Sequence, residues 1–245
     1  MKVTLKENER IDDLHRKDYK LIQNPERFCF GIDAVLLSGY AKAKKEETVL
    51  DLCSGNGIIP ILMEAKTECN QFVAIEIQAD NVDMAKRSIQ LNNLQDKICA
   101  IEADVNSLDR IFKPGSFDVI TCNPPYMPVG TGYINDYSPK AIARHEIMCN
   151  VEQIMRASAT MLKYGGRMYM IHRPNRLADI FAYARAYKLE PKSMRMVQSY
   201  TNKEPSMVLL EFAKNGKPML NVEAPLIIYM ADGTYTKEVR EIYYE

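Results

Sequence analysis

Asn123-Pro124-Pro125-Tyr126 is the run of residues best suited to chemistry in this chain of 245 residues. Two consecutive prolines fix φ and remove two backbone donors, so the run is stiff and presents acceptors. Those acceptors are the Asn123 side-chain oxygen and the Pro124 carbonyl. Together they can hold an amino group by both hydrogens. A nitrogen held in this way bends out of the plane of an attached conjugated group, and its lone pair is freed to attack an electrophilic carbon. No protein nucleophile or strong base is needed; positioning and preorganised dipoles carry the rate. Tyr126 can stack on a flat substrate, where base–aromatic stacking is worth about 1–3 kcal/mol. A surface turn reads the same way, and only the place of the run in the fold separates the two.

A second group of residues could hold a cofactor. The β-rich run Thr48–Leu52 leads into Asp51-Leu52-Cys53-Ser54-Gly55-Asn56-Gly57. In an open α/β sheet, ligands sit outside the carboxyl ends of the strands, and glycines let the backbone come close to them. A nicotinamide enzyme carries G-x-G-x-x-G here, with pyrophosphate on the helix N-terminus. Pro60 occupies the third glycine position, and the neighbouring Asp51 carboxylate suits a cation better than a phosphate. S-adenosylmethionine fits that preference, because it carries an ammonium and a sulfonium and no phosphate. An ordinary strand–turn–helix corner remains an equal reading of the loop alone. Glu76 lies nineteen residues beyond Gly57 and can accept both ribose hydroxyls. Asp104 can accept from an adenine amino group, or it can cap a helix from Val105 onward. Three carboxylates at the ends of three successive strands would line one crevice, each matched to a different donor of the same ligand.

The elements that must position these residues alternate. Short β-rich runs fall at Thr48–Leu52, Phe72–Ile77, Ile98–Ala103, Phe117–Cys122 and Arg167–Ile171. Helical spacing of apolar residues marks Ile58–Lys66, Ala79–Asn92 and Val151–Lys163. This order predicts an α/β fold with a parallel sheet and helices on both faces. Pro60 sits in a first helical turn, and Gly165-Gly166 are expected to end the helix before the fifth run. Met207–Phe212 and Met219–Tyr229 flank Asn215-Gly216, which predicts a closing antiparallel hairpin. Thr236 can cap a final short helix, Thr236–Tyr243. Earlier in the chain, Asp33 can cap a helix whose apolar face begins at Ala34. That element, Phe28–Ala41, can cover one side of a ligand site and set Phe30 against the substrate. Residues 1–30 form an extension that is polar and aperiodic over its first 20 residues and can stay mobile until a partner binds; residues 31–245 form a single domain.

Bulk composition excludes several classes. A chain of this length buries roughly 70–75% of its unfolded surface. Hydrophobic residues make up 47% and charged residues 26%, as in ordinary globular proteins. No apolar run is long enough for a membrane span, and the charged N-terminus lacks a signal-peptide core, so a cytoplasmic location is expected. Six scattered cysteines without a CxxC pair support neither a metal site nor a disulfide framework. Net charge is zero, yet Lys140–Glu204 holds twelve Lys/Arg against five Asp/Glu. This excess is either a solvated face or a surface for an anionic partner.

The chain resembles the class I S-adenosylmethionine-dependent methyltransferases with an Asn-Pro-Pro-Tyr motif, through Asp51–Gly57, Glu76, Asp104 and Asn123–Tyr126 in the family order. Phe30–Leu37 (FGIDAVLL), Ala143–Ile147 (ARHEI), His172–Leu177 (HRPNRL) and Gly233–Tyr243 (GTYTKEVREIY) are similar to the valine-tRNA adenine-N6 methyltransferase family. The resemblance runs from about Gln23 to the C-terminus. It implies a Rossmann-like, mostly parallel seven-stranded sheet with a C-terminal antiparallel hairpin. It also implies a substrate adenine 3′ of the anticodon of tRNA(Val). S-adenosylmethionine would be the methyl donor and S-adenosylhomocysteine the product, without a metal. Asp51, Gly55, Asn56 and Gly57 would contact the methionine part and ribose, Glu76 the ribose, and Asp104 the adenine of the cofactor. Asn123, Pro124, Pro125 and Tyr126 would hold the target base.

An anticodon-loop base is already single-stranded, so turning it outward costs little. Lys140, Arg144, Arg173, Arg176 and Arg195 could meet RNA phosphates, which position a substrate without reading its sequence. His145 and His172 lie among these cations and are read as RNA contacts at most. No membrane and no obligate protein partner is inferred. The chief alternative is a protein glutamine methyltransferase, whose planar amide suits the same loop; such enzymes usually carry an extra N-terminal helical domain, and about fifty residues precede Asp51. Ribosomal RNA, through adenine N6 or guanine N2, is a further alternative. A DNA adenine enzyme would need a target-recognition region that is not evident. A non-catalytic nucleotide-binding module would have no use for Asn123 and Tyr126.

Overall fold

The computed structural model describes residues 3–26, 29–126 and 149–244. Strands β1 (Arg10–Asp13) and β2 (Lys20–Gln23) pair antiparallel as a separate hairpin, in the stretch where the sequence has no regular period. Leu21 and Ile22 are fully buried, and the Ile22 N–H donates to Ser88 Oγ at 3.0 Å, which docks the hairpin on the domain. Helix α1 (Ile32–Tyr40) follows.

Beyond it the chain alternates: β3 (Thr48–Leu52), α2 (Ile58–Lys66), β4 (Gln71–Glu76), α3 (Ala79–Leu91), β5 (Ile98–Glu102) and β6 (Phe117–Cys122). After the undescribed residues come α4 (Val151–Met161), β7 (Leu162–His172), α5 (Leu177–Ala186), β8 (Leu189–Gln198) and β9 (Pro205–Lys214). Seven long strands lie in the order β5-β4-β3-β6-β7-β9-β8. The first five are mutually parallel, and β9 is antiparallel to both β7 and β8. The short strands β10 (Asn221–Val222) and β11 (Leu226–Ile227) add to the β8 edge. Helix α6 (Lys237–Tyr244) closes the chain, with the Val239 N–H donating to Thr236 Oγ1.

The central strands are near-continuous apolar runs because both of their faces are covered. Alternate side chains go to opposite faces. Val49 and Val119 join the core under α1, α2 and α3, while Leu50, Leu52 and Ile120 join the core under α4 and α5. The same pleat sends Asp51 and Thr121 toward the α1–α3 face. A reciprocal capping box between Asn150 and Gln153 starts α4, at 2.9 Å in each direction.

Two turn expectations are corrected. Gly165-Gly166 do not end α4, which stops at Met161; they lie within β7, where the pairing register to β6 shifts between Phe117 and Val119. Asn215-Gly216 is not the hairpin turn either. The hairpin is β8–β9, joined through residues 199–204, and Asn215 turns the chain away after β9 with its N–H on the Lys188 carbonyl. Pro225 removes a donor from the middle of Met219–Tyr229, so the segment yields only the short strands β10 and β11 on either side of it.

Candidate active site

The carboxyl end of β3 delivers the chain into a loop whose shape depends on glycine. Gly57 caps α2 at φ 82, and a Cβ there would lie 3.2 Å from the Ala85 side chain. The Ser54 N–H donates to the Ile75 carbonyl, tying the loop to β4. At the end of β4, Glu76 is 8% exposed. Its Oε2 accepts the Gly55 N–H and its Oε1 accepts the Gln78 N–H, both at 2.9 Å. Burial pushes its carboxyl up, against the pull of these amides. Asn56 donates from Nδ2 to the Ile22 carbonyl at 3.1 Å, so the N-terminal hairpin braces the loop.

Ser54, Gly55, Asn56, Glu76 and Gln78 line a cleft of about 900 Å³, counting its open mouth, at the carboxyl ends of the parallel strands. Asp104, Phe30, Asn123 and Pro125 line it as well. Asp104 also caps the 3-10 turn Val105–Arg110, its Oδ1 accepting the Asn106 N–H at 2.8 Å. The sequence thus left a cap and a cavity wall as alternatives, and Asp104 is both.

Asp51, Gly57, Pro124 and Tyr126 do not line the cleft. Asp51 is fully buried beneath the loop, where its Oδ1 accepts the Thr121 hydroxyl at 2.6 Å and its Oδ2 has no hydrogen-bond partner among the described residues. Burial pushes its carboxyl up to about 7. The Glu76 and Asp104 carboxylates, which do line the cleft, are acceptors that suit the ribose hydroxyls and adenine amino group of S-adenosylmethionine; Asp51 lies beneath the loop, away from the cleft wall.

The Asn-Pro-Pro-Tyr run follows β6 directly, beside the cleft. Its partner is Asp33, which the sequence suggested as a helix cap. Instead Gly31 occupies the cap position of α1, and Asp33 lies within the first turn. A Cβ on Gly31 would meet Asp33 Oδ1 at 2.7 Å, so glycine is what allows the carboxylate to lie back there. Asp33 Oδ2 accepts the Tyr126 hydroxyl at 2.7 Å and Asn123 Nδ2 at 3.2 Å. The Tyr126 hydroxyl also contacts Asn123 Oδ1. Burial, reinforced by the Asp33 charge, holds the Tyr126 phenol well above its ordinary pKa. Asp33 was missed because an aspartate at a helix start is the usual sign of a cap, and its partners lie 90 and 93 residues away.

Tyr126 is less open than a stacking platform would be. The Arg173 guanidinium lies 5.0 Å from its ring centroid, and His172 meets the ring edge-on at 5.3 Å. His172 is fully buried, so its reading as an RNA contact is corrected. Its Nδ1 accepts the Arg173 N–H at 2.8 Å, and its Nε2 has no partner among the described residues. Burial lowers its pKa to about 4.

Among the expected RNA cations, Arg173 is exposed, lies over the Tyr126 ring and donates to the Ser206 carbonyl. Arg176 pairs with Asp179 at 3.0 Å. Arg195 is not brought to the site: it is locked in a bidentate pair with Glu238 of α6 and lines a separate groove under α1 and α6. The sequence did not mark 189–198 as a strand, so the direction of Arg195 could not be read from it. Lys140, Arg144 and His145 lie outside the described residues. Among the described residues no His/Cys/Asp/Glu group could hold a metal ion, and no helix is long and apolar enough to cross a membrane.

The profile of the methyltransferase small domain family matches residues 30–181. A tRNA1(Val) (adenine(37)-N6)-methyltransferase of Porphyromonas gingivalis is 26% identical over 85% of this chain and 84% of its own. One from Haemophilus influenzae is 26% identical over 92% of this chain and 94% of its own. Among solved structures, a predicted O-methyltransferase from Agrobacterium tumefaciens has a TM-score of 0.70 at 20% identity, covering 86% of this chain and 95% of that one. A geranyl diphosphate C-methyltransferase from Streptomyces coelicolor, in complex with S-adenosyl-L-homocysteine, has a TM-score of 0.53 at 13% identity, covering 74% and 79%. These likenesses establish the fold, a Rossmann-like methyltransferase fold.

Proposed function

Because the chain belongs to the methyltransferase small domain family, we propose that it transfers a methyl group from S-adenosylmethionine to the N6 amino group of an adenine in RNA, foremost the adenine 3′ of the anticodon of tRNA(Val). The observation that carries this reading is the position of Asn123 on the same cleft as Glu76 and Asp104. An amide acceptor and a set of ribose- and adenine-binding carboxylates share one cavity there.

S-adenosylmethionine, when bound, supplies a methyl group on a positively charged sulfur. The protein supplies position. Glu76 has a lone pair left on each oxygen after accepting Gly55 and Gln78, and these can take the ribose hydroxyls. Asp104 has Oδ2 left for an adenine amino group. Asn123 Oδ1, on the cleft wall, takes a hydrogen of the substrate amino group and directs its lone pair for in-line attack, while Pro124, outside the lining, keeps the run stiff. Phe30 lines the cleft and offers an aromatic face for the base, the role that the sequence gave to Tyr126. The exposed Arg173, over the Tyr126 ring, meets phosphate.

The test is methyl transfer from labelled S-adenosylmethionine onto separate pools of tRNA, ribosomal RNA and protein, followed by nucleoside analysis. The proposal expects N6-methyladenosine in the tRNA pool. Label confined to protein rejects it in favour of a glutamine substrate.

A further inference from the structure

Asp33, Asn123 and Tyr126 contain an imbalance of donors and acceptors. The Tyr126 hydroxyl touches two acceptors, Asp33 Oδ2 and Asn123 Oδ1, and a phenol has a single proton to give. A carboxylate is the stronger claimant, since charge-assisted hydrogen bonds are about twice as strong as neutral ones. The proton therefore goes to Asp33. Asn123 Oδ1 is left beside a hydroxyl oxygen with no proton to receive. The same carboxylate takes Asn123 Nδ2 at 3.2 Å, which prevents the amide from turning its nitrogen toward the cleft.

We propose that Asp33 is a positioning residue for methyl transfer: it draws the Tyr126 proton and one Asn123 N–H to itself, so that Asn123 Oδ1 stands as an acceptor awaiting the substrate amino group. This rests on the proposed function, in which Asn123 holds an amino nitrogen. A reversed amide would present N–H to N–H and repel the substrate. A Tyr126 proton directed at Oδ1 would occupy the acceptor. Asp33 removes both alternatives at once. Its burial, at 9% exposure, keeps water from competing for the same lone pairs. The phenol stays protonated at neutral pH, so it remains a donor throughout.

The discriminating variant is Asp33→Asn, which keeps the shape and removes the charge. The Tyr126 proton then faces two amide oxygens of equal strength, and Asn123 Oδ1 is blocked part of the time. Tyr126→Phe removes the competing proton altogether. Four proteins are compared: the parent, Asp33→Asn, Tyr126→Phe and the double variant. Readouts are affinity for S-adenosylhomocysteine by calorimetry and kcat and KM for unmodified tRNA.

Asp33→Asn is expected to lower kcat about tenfold with unchanged S-adenosylhomocysteine affinity. The double variant is expected to recover kcat relative to Asp33→Asn, which a merely structural role for Asp33 would not produce. A parental kcat in Asp33→Asn, or a double variant no faster than Asp33→Asn, overturns the proposal. A parent that methylates no RNA overturns the proposed function instead. A measurement without turnover then decides on Asp33: the Tyr126 hydroxyl proton, read by NMR, lies downfield in the parent and moves upfield in Asp33→Asn. An unmoved resonance overturns the assignment of that proton to Asp33.

Discussion

The Glu76 carboxylate and the Gly55 backbone are joined by a hydrogen bond of 2.9 Å, with the Gly55 N–H donating to Oε2. A side chain at the end of one strand thereby holds the loop at the end of its neighbour. Glu76→Gln would leave one polar contact made and place an N–H against either Gly55 or Gln78. S-adenosylhomocysteine affinity is expected to fall about ten- to a hundredfold, the range for losing hydrogen bonds to a charged group. Isothermal calorimetry measures it, and unchanged affinity would remove Glu76 from the cofactor site.

Asn123→Ala removes the side-chain acceptor without touching the cleft's carboxylates. Cofactor affinity is expected to stay within about twofold, while kcat falls about a hundredfold, as when one preorganised dipole is lost from a reacting centre. Single-turnover assays separate the two effects. Parental turnover in this variant sinks the proposed chemistry.

Asp51 and His172 impose opposite pH dependences on folding. The Asp51 carboxyl titrates near 7 when folded against an ordinary value of 3.8, so the folded state keeps a proton that the unfolded chain has released. Its contribution is fully present below about 3.8 and is lost as pH rises through about 7. His172 titrates near 4 when folded against 6.5, so the unfolded chain takes up a proton first. Its contribution is fully present above 6.5 and is lost as pH falls through about 4. Relative to the parent, Asp51→Asn should therefore gain stability as pH rises toward 7, and His172→Gln should gain it as pH falls toward 4. The differences reach a few kcal/mol at most. Urea midpoints across this window check the signs; a variant whose gain runs the other way with pH would overturn the assignment for that residue.

Arg173→Ala should weaken RNA binding and flatten its salt dependence. Loss of one phosphate contact lowers the slope of log K against log salt by about 0.7–0.9. Fluorescence anisotropy with tRNA at several salt concentrations reads this. Arg195→Ala serves as the contrast, because Arg195 is committed to Glu238 and should leave the slope alone. Equal slopes for parent and Arg173→Ala would take Arg173 out of the interface.

Much of the sheet was legible in the sequence because strands covered on both faces are continuous apolar runs, and Thr48–Leu52 and Phe117–Cys122 match to the residue. Carboxylates at the carboxyl ends of neighbouring parallel strands share a crevice, which is why the sequence alone places Glu76 and Asp104 on one cleft. The antiparallel edge was not legible. Strand β8 contains Pro191, Lys192 and Arg195, which mask its period, and its partner is chosen by pairing across the sheet rather than by a local turn signal. Asn215-Gly216 is a genuine turn, but between different neighbours. Asp33 escaped for a related reason: the local rule for a helix start is satisfied by Gly31, while the carboxylate answers to residues brought near only by the completed fold.

The bond from Asn56 to the Ile22 carbonyl couples the N-terminal hairpin to the glycine loop. Reciprocity then applies: a ligand that favours the seated loop must favour the seated hairpin by the same coupling energy. Occupancy of the cleft should slow proteolytic cutting between Asp13 and Lys20, and prying the hairpin loose should release whatever the loop holds. A segment that looks peripheral on the page of the sequence therefore reports, from outside, on the filling of the centre.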